Sequence, residues 1–568
     1  MLSETAQRIF ELKYAQKRNN RDLETWEQAA VRVADYVAQA EILEGEKLQF
    51  IANATKAIME MSFIPGGRVL ANAGTGIPNL MNCFVLPIED SRLSIYQTLL
   101  EAAEIFAWGG GVGYNFSHLR EIGAKVKTTG GEASGPVSFM DLFDTTGEVI
   151  SQASRRGAQM GILDVSHPDI LEFIKFKSIL NRKNQRIYSE FQEALQGISI
   201  SCPDVLRKIL ADNQLTHFNI SVAVADKFME AYLNGENWEL ISPRDGKVVY
   251  TIPAEVIMNE IAASAWENGD PGIFFIDTAN NNSLAPYLGR IEATNPCGEV
   301  PLLSYEPCCL GSINLSQFVE DNYIDFEYLE HIVKFAVRFL DNVQEINKAP
   351  FDKINEQARH TRRLGLGVMG FADVLAEMGI QYDSSDAVTL VKVFGQFIQK
   401  TAWQASMDLA RERGPFPGFE YDKINWSIID NLELDRMEFR NIAVTSIAPT
   451  GTIALLAGVN SGIEPFFSSE YIRHMTEGVG HNPKKSFVQK IEWDDVKTSH
   501  DIHWSDHVIM QSEWQKYTDN AVSKTINMPN DAKIDDILDA ITLAWNRKCK
   551  GITVYRDKSR NFQILNTS

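Results

Sequence analysis

Cysteine is scarce in this chain, and its cysteines do not form the motifs that structural metal sites use. The 568 residues contain six cysteines: Cys83, Cys202, Cys297, Cys308, Cys309 and Cys549. No CxxC pair stands with a second CxxC or an HxxxH, so we expect no structural zinc site and no metal held by protein side chains. A disulfide scaffold would need a much higher cysteine density. Free thiols in a reducing cytoplasm are therefore predicted.

Long apolar runs and an excess of positive charge are also missing. No run of ~18 apolar residues is present, so no segment is expected to span a membrane. The segment from Met1 to Lys17 lacks the apolar core of a signal peptide. The net charge of −21 opposes binding to nucleic acid or to anionic membranes. A small phosphate ligand stays compatible with this charge, because local backbone NH groups and a few basic side chains suffice to bind it.

What is present is an alternation of strand and helix patterns from about residue 80 to residue 555, which is typical of α/β organisation. The pattern predicts a small helical N-terminal region at 1–62 and one large α/β domain at 63–568, with a surface insertion at 177–217. Individual predictions are a buried strand within Met81–Pro87, a helix at Ser94–Ala107 with Ser94 as its N-cap, a strand at Ile442–Ile447 and a helix at Ser385–Arg413.

One stretch concentrates reactive side chains. In Asn295-Pro296-Cys297-Gly298-Glu299 an amide, a thiol and a carboxylate alternate. In an extended segment the side chains at i, i+2 and i+4 face the same way, so these three groups would point at one spot. Seen alone, the motif favours a loop with one buried cysteine, because buried cysteine is common. A second thiol, Cys308, follows Cys297 by 11 residues.

Another segment has the composition of a phosphate site. Pro449 to Ile453 reads Pro-Thr-Gly-Thr-Ile where a predicted strand turns into a helix. Such a turn presents unpaired NH groups, two hydroxyls and the positive end of the helix dipole. Ordinary helix capping explains this turn equally well when it is considered alone. Likewise, the glycine cluster Gly109–Gly113 allows close backbone approach to either a ligand or another strand.

Taken together, the motifs resemble those of the catalytic subunit of ribonucleotide reductases. The stretches that carry the resemblance are MNCFVLP at 81–87, GGGVGYNF at 109–116, FNISV at 218–222, NPCGE at 295–299, YEPC at 305–308, GSINL at 311–315, RRLGLGVMGFADVL at 362–375, APTGTIA at 448–454, QKYTDNAVSKTINMPNDA at 515–532 and KGITVYRDKSR at 550–560. They cover nearly the whole chain in the order of the family. The resemblance implies a ten-stranded α/β barrel with a central finger loop, preceded by the small helical region.

The resemblance also implies roles for single residues. Cys297 would carry a thiyl radical that removes the 3′-hydrogen of the ribose. Glu299 would be the general base for the 3′-hydroxyl, and Asn295 would orient the sugar. Cys83 and Cys308 would be the dithiol that delivers two electrons and ends as a disulfide.

The remaining implied assignments concern the dithiol and the nucleotide ligands. The neighbouring Cys309 is a rival for the dithiol part, although the spacing from Cys297 fits Cys308 in the family's loop. For Arg155 and Arg156 a solvated ion pair is as compatible as a ligand contact. The implied contacts are Asn82, Thr450, Gly451, Thr452 and Ile453 for the ribonucleotide substrate, and Asp144, Arg155 and Arg156 for a dNTP or ATP specificity effector.

The sequence also bears on the radical source. It has no Tyr-Tyr pair, which is the relay of the oxygen-dependent class, and no glycyl-radical motif after Gly551. The stretches GITVYR and MNCFVLP are most similar to the adenosylcobalamin-dependent class, so adenosylcobalamin is the expected cofactor. The DxHxxG motif of cobalamin mutases is also absent, because the stretch that begins at Asp501 and His503 has Asp506 in place of the glycine.

Two other interpretations are compatible with the sequence. The chain could be the large subunit of an oxygen-dependent reductase with an abbreviated relay, which would need a separate metal-containing subunit. It could also be a nucleotide-binding protein on a degenerate barrel. That interpretation predicts damage at the reactive positions, whereas the thiols, Asn295 and Glu299 are all intact.

Two departures from the family pattern concern the partners. The only late cysteine is Cys549, so we find no C-terminal CxxC pair to reduce the active-site disulfide. Either a tail is missing or, as we expect, an external, thioredoxin-like reductant does so. The insertion at 177–217 is longer than the expected effector loop, which leaves the specificity site and a homodimer open. The sequence does not decide between diphosphate and triphosphate substrates.

Overall fold

The N-terminal part of the chain is helical. The computed structural model describes residues 2–18, 22–126, 130–152, 155–178, 218–476, 483–490, 493, 495–559 and 565–567. Its first helices are Glu4–Lys13, Trp26–Val37 and Glu44–Met59. The second of them begins at a capping box, in which Thr25 and Gln28 bind each other's backbone NH groups. Apolar residues at helical spacing, such as Ala30, Val33 and Val37, are buried and form the inner face of this helix.

Five parallel strands form the first half of the α/β domain. In their spatial order they are Cys83–Leu86, Gly111–Asn115, Gln159–Asp164, Phe218–Val224 and Gly272–Phe275. Most of their residues are buried, as is typical of a parallel sheet that is covered on both faces. The helices that alternate with these strands are Arg92–Ala107, Pro136–Val149, Ile170–Ile174, Asp226–Leu233 and Ala254–Asn268.

A second group of parallel segments completes the domain. Leu310–Asn314 pairs with Gly365–Met369, and Thr525–Met528 pairs with Gly551–Arg556. The segment 442–447 lies between these two pairs, because Thr445 bridges to Leu366 and Ile447 bridges to Val522.

Backbone contacts join the two groups at both ends. Gly272–Phe275 pairs antiparallel with Gly551–Arg556. At the other end Pro307–Cys308 pairs antiparallel with Cys83–Leu86, and only Cys309 separates it from Leu310–Asn314. The ten segments thus follow one another through strand pairs, isolated bridges and one short chain connection, in agreement with the α/β barrel that the sequence predicts.

A hairpin loop lies between the two groups of strands. Its arms, Ala293–Thr294 and Pro301–Leu302, pair antiparallel and leave 295–300 as the tip. The tip contacts both halves of the barrel: Asn219 Nδ2 donates to the carbonyl oxygen of Pro296 at 2.9 Å, and Ser446 Oγ donates to that of Glu299 at 2.8 Å. The finger loop of the sequence-based prediction is therefore present.

Gly113 allows the finger loop to approach the first sheet. A Cβ atom at this position would lie 1.9 Å from the carbonyl oxygen of Thr294, so no larger residue fits without displacing the loop. The glycine cluster predicted to allow close approach thus serves strand-to-loop packing at this point.

Further helices and small sheets surround both groups of strands. Helix Ser385–Arg413 begins where predicted, with Ser384 Oγ accepting from Ala387 N at 3.1 Å. Other helices are Gly67–Asn72, Ile276–Asn281, Phe326–Ile346, Asp352–Thr361, Phe371–Glu377, Gly451–Ala457, Trp504–Gln515 and Ile534–Asn546. Additional strand pairs include Phe63–Pro65 with Leu310–Asn314, Asn237–Ile241 with Val248–Pro253, and Glu470–Thr476 with both Pro483–Lys490 and Leu565–Thr567. None of the helices in the described ranges is both long and apolar enough to cross a membrane.

Three segments require comment against the sequence-based predictions. Helix Arg92–Ala107 begins after Ser91, whose Oγ accepts from Ser94 N at 3.1 Å, so Ser94 is not the N-cap. The segment 442–447 is not a continuous strand, because Val444 N and Thr445 N both donate to the Asp519 carboxylate at 3.0 Å. Residues 179–217 of the predicted insertion lie outside the described residues.

Candidate active site

Asn295 fixes the conformation of the finger-loop tip. Its buried Oδ1 accepts from Val300 N at 2.9 Å and from Thr294 Oγ1 at 3.2 Å, while Nδ2 approaches Cys83 Sγ at 3.6 Å. Gly298 N donates to the Asn295 carbonyl oxygen at 3.0 Å. Gly298 has a φ of 81°, which favours glycine, so the backbone turns sharply between the thiol and the carboxylate.

Glu299 is a buried carboxyl with one oxygen available. Its carbonyl oxygen accepts from Ser446 Oγ and from Ala521 N, both at 2.8 Å, so its backbone is fixed. The residue is only 2% exposed, and Oε2 has no hydrogen-bond partner among the described residues. Burial raises the pKa of Glu299 to about 7, although the hydrogen bond with Asn295 lowers it. Such a group is suited to accept a proton from a ligand near neutral pH.

Cys297 faces a cavity of about 520 Å³. Its side chain is exposed towards this space, although protein atoms surround the loop on its other sides. Burial within the barrel, together with the neighbouring Glu299 and Cys83, raises the pKa of Cys297 well above that of an ordinary thiol. The sulfur therefore keeps its hydrogen at neutral pH.

Cys83 and Cys308 lie directly opposite each other on antiparallel strands. Opposite Cβ atoms in such pairs are about 4.5–5.5 Å apart, and a disulfide needs about 3.8 Å, so a small movement would allow a bond. The hydrogen bond with Cys308, followed by burial, raises the pKa of Cys83 well above its ordinary value. Cys309 points elsewhere, since its Sγ donates to the Leu340 carbonyl oxygen at 3.6 Å. This arrangement favours Cys308 over Cys309 as the partner of Cys83.

Asn82 lies next to this thiol pair. Its Oδ1 accepts from Arg68 N at 3.3 Å, whereas its buried Nδ2 has no hydrogen-bond partner in the described part of the chain. A Cβ atom at Gly66 would lie 2.5 Å from that nitrogen. A buried amide donor without a partner is the kind of group that a bound ligand satisfies.

The predicted phosphate turn begins at Thr450. This residue has a left-handed φ of 51°, and helix Gly451–Ala457 follows it directly. Its Oγ1 accepts from Gly462 N at 2.7 Å, so the side chain does not cap the helix. Ordinary capping, the alternative interpretation of this turn, therefore does not describe Thr450. The hydroxyls of Thr452 and Tyr14 share a hydrogen bond of 2.5 Å, which ties the first helix of the chain to this turn.

The predicted effector residues lie on helix Pro136–Val149 and in the short strand Arg155–Arg156. Asp144 is buried on helix Pro136–Val149. Arg155–Arg156 form a short strand that pairs with Ser151–Gln152, while the side chains of both arginines lie outside the described part of the structure. Their role in effector binding stays a prediction.

Several residues that shape the site are missing from the sequence-based prediction. Asn219 and Ser446 hold the finger loop, and a signal for them exists, because each is a polar residue within an apolar segment and a buried polar group needs a partner. Lys524 and Glu464 form an ion pair of 2.5 Å at the cavity. No local signal identifies Tyr14, since 438 residues separate it from Thr452.

An α/β barrel that brings three thiols and a buried carboxyl to one central loop is the architecture of a thiol-dependent barrel reductase. Comparison with family models identifies the family within this class. The model "Ribonucleotide reductase, barrel domain" matches residues 81–555, and "Ribonucleotide reductase, all-alpha domain" matches residues 1–78. The chain therefore belongs to the ribonucleotide reductase family.

Curated relatives narrow the comparison. A vitamin B12-dependent ribonucleoside-diphosphate reductase of Mycobacterium tuberculosis is 41% identical over 544 residues, which cover 90% of this chain and 72% of that protein. A protein of the same name from Thermoplasma acidophilum is 39% identical, with 95% of this chain and 71% of the relative covered. A vitamin B12-dependent ribonucleotide reductase of Streptomyces coelicolor is 29% identical over 93% of this chain and 61% of its own length.

Proposed function

We propose that this chain reduces ribonucleotides to 2′-deoxyribonucleotides for DNA precursor synthesis, by thiyl-radical chemistry that adenosylcobalamin initiates. The observation that carries the proposal is the meeting of three thiols and a partly unpaired carboxyl at one loop. These groups are Cys297, Cys83, Cys308 and Glu299. The names of two relatives support ribonucleoside diphosphates as the substrate class.

Cys297 acts first on the sugar. As a thiyl radical it takes a hydrogen atom from C3′ of the ribose and becomes a thiol. Glu299 then accepts the proton of the 3′-hydroxyl, while the 2′-hydroxyl takes a proton from the Cys83–Cys308 dithiol and leaves as water. Glu299 returns its proton to the 3′-oxygen when the product forms. With a pKa of about 7, Glu299 is partly ionised at neutral pH and can perform this step. Asn295 orients the sugar beside both groups.

Cys83 and Cys308 supply the reducing equivalents. Two S–H bonds break and one S–S bond forms, so the pair gives up two electrons and two protons. The C2′–O bond is replaced by C2′–H, and one water is released. Cys297 returns its hydrogen to C3′ and is not consumed. The raised pKa of Cys83 serves this chemistry, because it keeps the hydrogen on the sulfur until transfer.

The cavity beside Cys297 fits the adenosyl part of adenosylcobalamin. Its volume of about 520 Å³ lies within the range of about 300–1,000 Å³ of small-molecule sites. Gln511 lines it and is 1% exposed, and its Oε1 has no hydrogen-bond partner among the described residues. Gln511, Glu464 and Asn527 would hold the cofactor's polar groups, and Ile273 and Ile552 its apolar faces. When bound, adenosylcobalamin supplies the radical by homolysis of its cobalt–carbon bond.

The substrate phosphates bind at the turn that follows Pro449. The backbone NH groups of Gly451, Thr452 and Ile453, which follow Thr450, bind the phosphates. These NH groups are available because the Thr450 side chain accepts from Gly462 N and does not cap the helix. Asn82 Nδ2 completes the ribose side of the site.

We also propose a specificity effector, a dNTP or ATP, near Asp144, Arg155 and Arg156, and a homodimer next to it. Support for the homodimer comes from helix Arg92–Ala107, where Leu93, Tyr96 and Leu100 are all exposed although they are apolar and share one helical face. An exposed apolar stripe of this kind is typical of helix-to-helix contacts.

An external thioredoxin-like reductant would restore the oxidised dithiol, and the reducing cytoplasm would be the compartment. The described residues include five free cysteines, which agrees with a reducing compartment.

The test is an anaerobic assay of the purified chain with ribonucleoside diphosphates, adenosylcobalamin, dithiothreitol and a dNTP. We expect deoxyribonucleotide product without any second protein. Product that appears only after addition of a metal-containing radical subunit would overturn the cofactor assignment in favour of an oxygen-dependent large subunit. Electron paramagnetic resonance of the same mixture should show a cobalt-coupled thiyl signal, which Cys297→Ser removes.

A further inference from the structure

The cavity beside Cys297 contains a charged pair that the proposed reaction steps do not use. Lys524 Nζ donates to Glu464 Oε2 at 2.5 Å, and the lysine side chain is fully buried. The other oxygen, Glu464 Oε1, accepts from Thr525 N at 2.8 Å. Each carboxylate oxygen is therefore held by one donor from the same strand region, and the carboxylate has a fixed orientation.

The backbone that carries Glu464 is fixed as well. Asn460 Nδ2 donates to the Glu464 carbonyl oxygen at 2.6 Å, and Tyr382 Oη donates to the Ile463 carbonyl oxygen at 2.6 Å. The Lys524 ammonium also lies 5.6 Å from the centre of the Tyr382 ring. A buried ammonium without its partner would be strongly destabilising, so Lys524 and Glu464 depend on each other. The result is a preorganised carboxylate at the wall of the cavity.

Glu464 keeps acceptor capacity for a ligand. A carboxylate has about four lone-pair sites, and the protein uses one on each oxygen. The side chain is 26% exposed, and it lines the cavity. Two acceptors in one fixed plane match the two neighbouring hydroxyls of a ribose. The unpartnered Oε1 of Gln511 lies in the same wall and matches an amino group such as that of adenine.

The lining of this cavity differs from the set of residues proposed for ribose reduction. Of the five catalytic residues proposed above, only Cys297 is among the described residues that line it. Cys83, Cys308, Asn295 and Glu299 are not among its lining residues. A ribose bound to Glu464 is therefore the ribose of a cofactor and not that of the nucleotide being reduced.

We propose that Glu464 binds the ribose hydroxyls of the adenosyl group and that Lys524 is its positioning residue. The proposal rests on the function proposed above, since it takes adenosylcobalamin as the occupant of the cavity. It makes Glu464 the residue that distinguishes adenosylcobalamin from cobalamins that carry another upper ligand.

The first experiment uses the unaltered protein. Equilibrium dialysis measures the dissociation constants of adenosylcobalamin, hydroxocobalamin and 2′-deoxyadenosylcobalamin. We expect the 2′-deoxy analogue to bind about 10- to 100-fold more weakly than adenosylcobalamin, the range for one hydrogen bond to a charged group. Equal affinity for the two adenosyl forms would overturn the proposal without any need for a variant.

The second experiment uses Glu464→Gln, which keeps the size and one acceptor. We expect this variant to lose about tenfold or more in affinity for adenosylcobalamin and to bind hydroxocobalamin as the unaltered protein does. Glu330→Gln is the matched control, because Glu330 forms an exposed 2.5 Å pair with Lys334 on a surface helix. Circular dichroism establishes that both variants are folded.

The outcomes separate this proposal from the proposed function. If the unaltered protein binds neither adenosylcobalamin nor hydroxocobalamin, the cofactor assignment itself is wrong. If it prefers adenosylcobalamin and Glu464→Gln keeps the full preference, the function stands and the role of Glu464 is refuted. An equal loss for both cobalamins in Glu464→Gln also refutes it, because that result shows general damage to the cavity.

Discussion

Replacing Glu299 by glutamine should remove activity and yet stabilise the protein at alkaline pH. The carboxyl is buried and its pKa is about 7, against an ordinary value of 4.5. Because the folded pKa is the higher one, the folded state favours the protonated form. This contribution to stability is fully present below pH 4.5 and is lost as the pH rises through 7. Glutamine stays neutral at every pH, so the Glu299→Gln protein does not lose this stability as the pH rises.

The magnitude follows from the two pKa values. With 1.36 kcal/mol for each pKa unit, ionised Glu299 destabilises the folded chain by about 3 kcal/mol at pH 8 and by less than about 1 kcal/mol at pH 5. An unfolding entropy of about 2.1 cal/mol/K per residue then gives a Tm increase of about 2–3 °C for Glu299→Gln at pH 8, and of less than about 1 °C at pH 5.

Differential scanning calorimetry of both proteins at the two pH values, at one scan rate, measures this difference. Other titrating groups cancel in the comparison, because they are common to both proteins. Glu433→Gln is the control, since its side chain is 87% exposed and the substitution should give no pH-dependent difference in Tm. An equal shift at both pH values, or a less stable Glu299→Gln at pH 8, would refute the buried ionisable carboxyl.

Three further predictions concern the thiols and the loop. Cys297→Ser should abolish turnover and leave nucleotide binding near normal in equilibrium dialysis, because a hydroxyl hydrogen is held too strongly for radical exchange; weakened binding would point to a structural role. Cys308→Ser should still exchange the 3′-hydrogen, as measured by tritium release, yet it should not complete multiple turnovers. Cys309→Ser should turn over normally. The reverse pattern would assign the dithiol to Cys309. Gly113→Ala should displace the finger loop and remove activity, because its Cβ would lie 1.9 Å from the Thr294 carbonyl oxygen, and unchanged kcat would contradict this packing.

The sequence predicts the fold well where local patterns and family order agree. The helix at Ser385–Arg413 has the predicted bounds, with Ser384 as its N-cap and Gly414 after its last residue. The segment 442–447 is different, because its backbone is held by the side chain of Asp519, which is distant in sequence. Local propensity carries no information about such a partner. Helix Arg92–Ala107 begins two residues earlier than the sequence predicts, because Ser91 and Ser94 are both suitable N-caps and the helix uses Ser91.

The candidate site divides in the same way. The residues that carry the resemblance, from Cys83 to Glu299, are identified by their motifs, and the structure places them around one loop. Motifs do not identify Tyr14 and Glu464, because each acts through a contact to an element far along the chain. The choice between Cys308 and Cys309 likewise depends on which face of an extended segment turns inward, and one residue of register decides it.

The position of Cys297 accounts for how one sulfur can serve two partners. Its thiol faces the cavity that contains the Lys524–Glu464 pair, while Glu299 and Cys83 are close enough to contribute, after burial, to its raised pKa. In the proposed reaction, a radical that enters from the cavity therefore reaches the sugar through this sulfur. Asn295 and the turn at Gly298 fix the sulfur at that position. Burial, which destabilises ionised Glu299, is also the main cause of the raised pKa of Cys297. The stability lost at Glu299 and the hydrogen retained on Cys297 are thus two consequences of burial at the same loop.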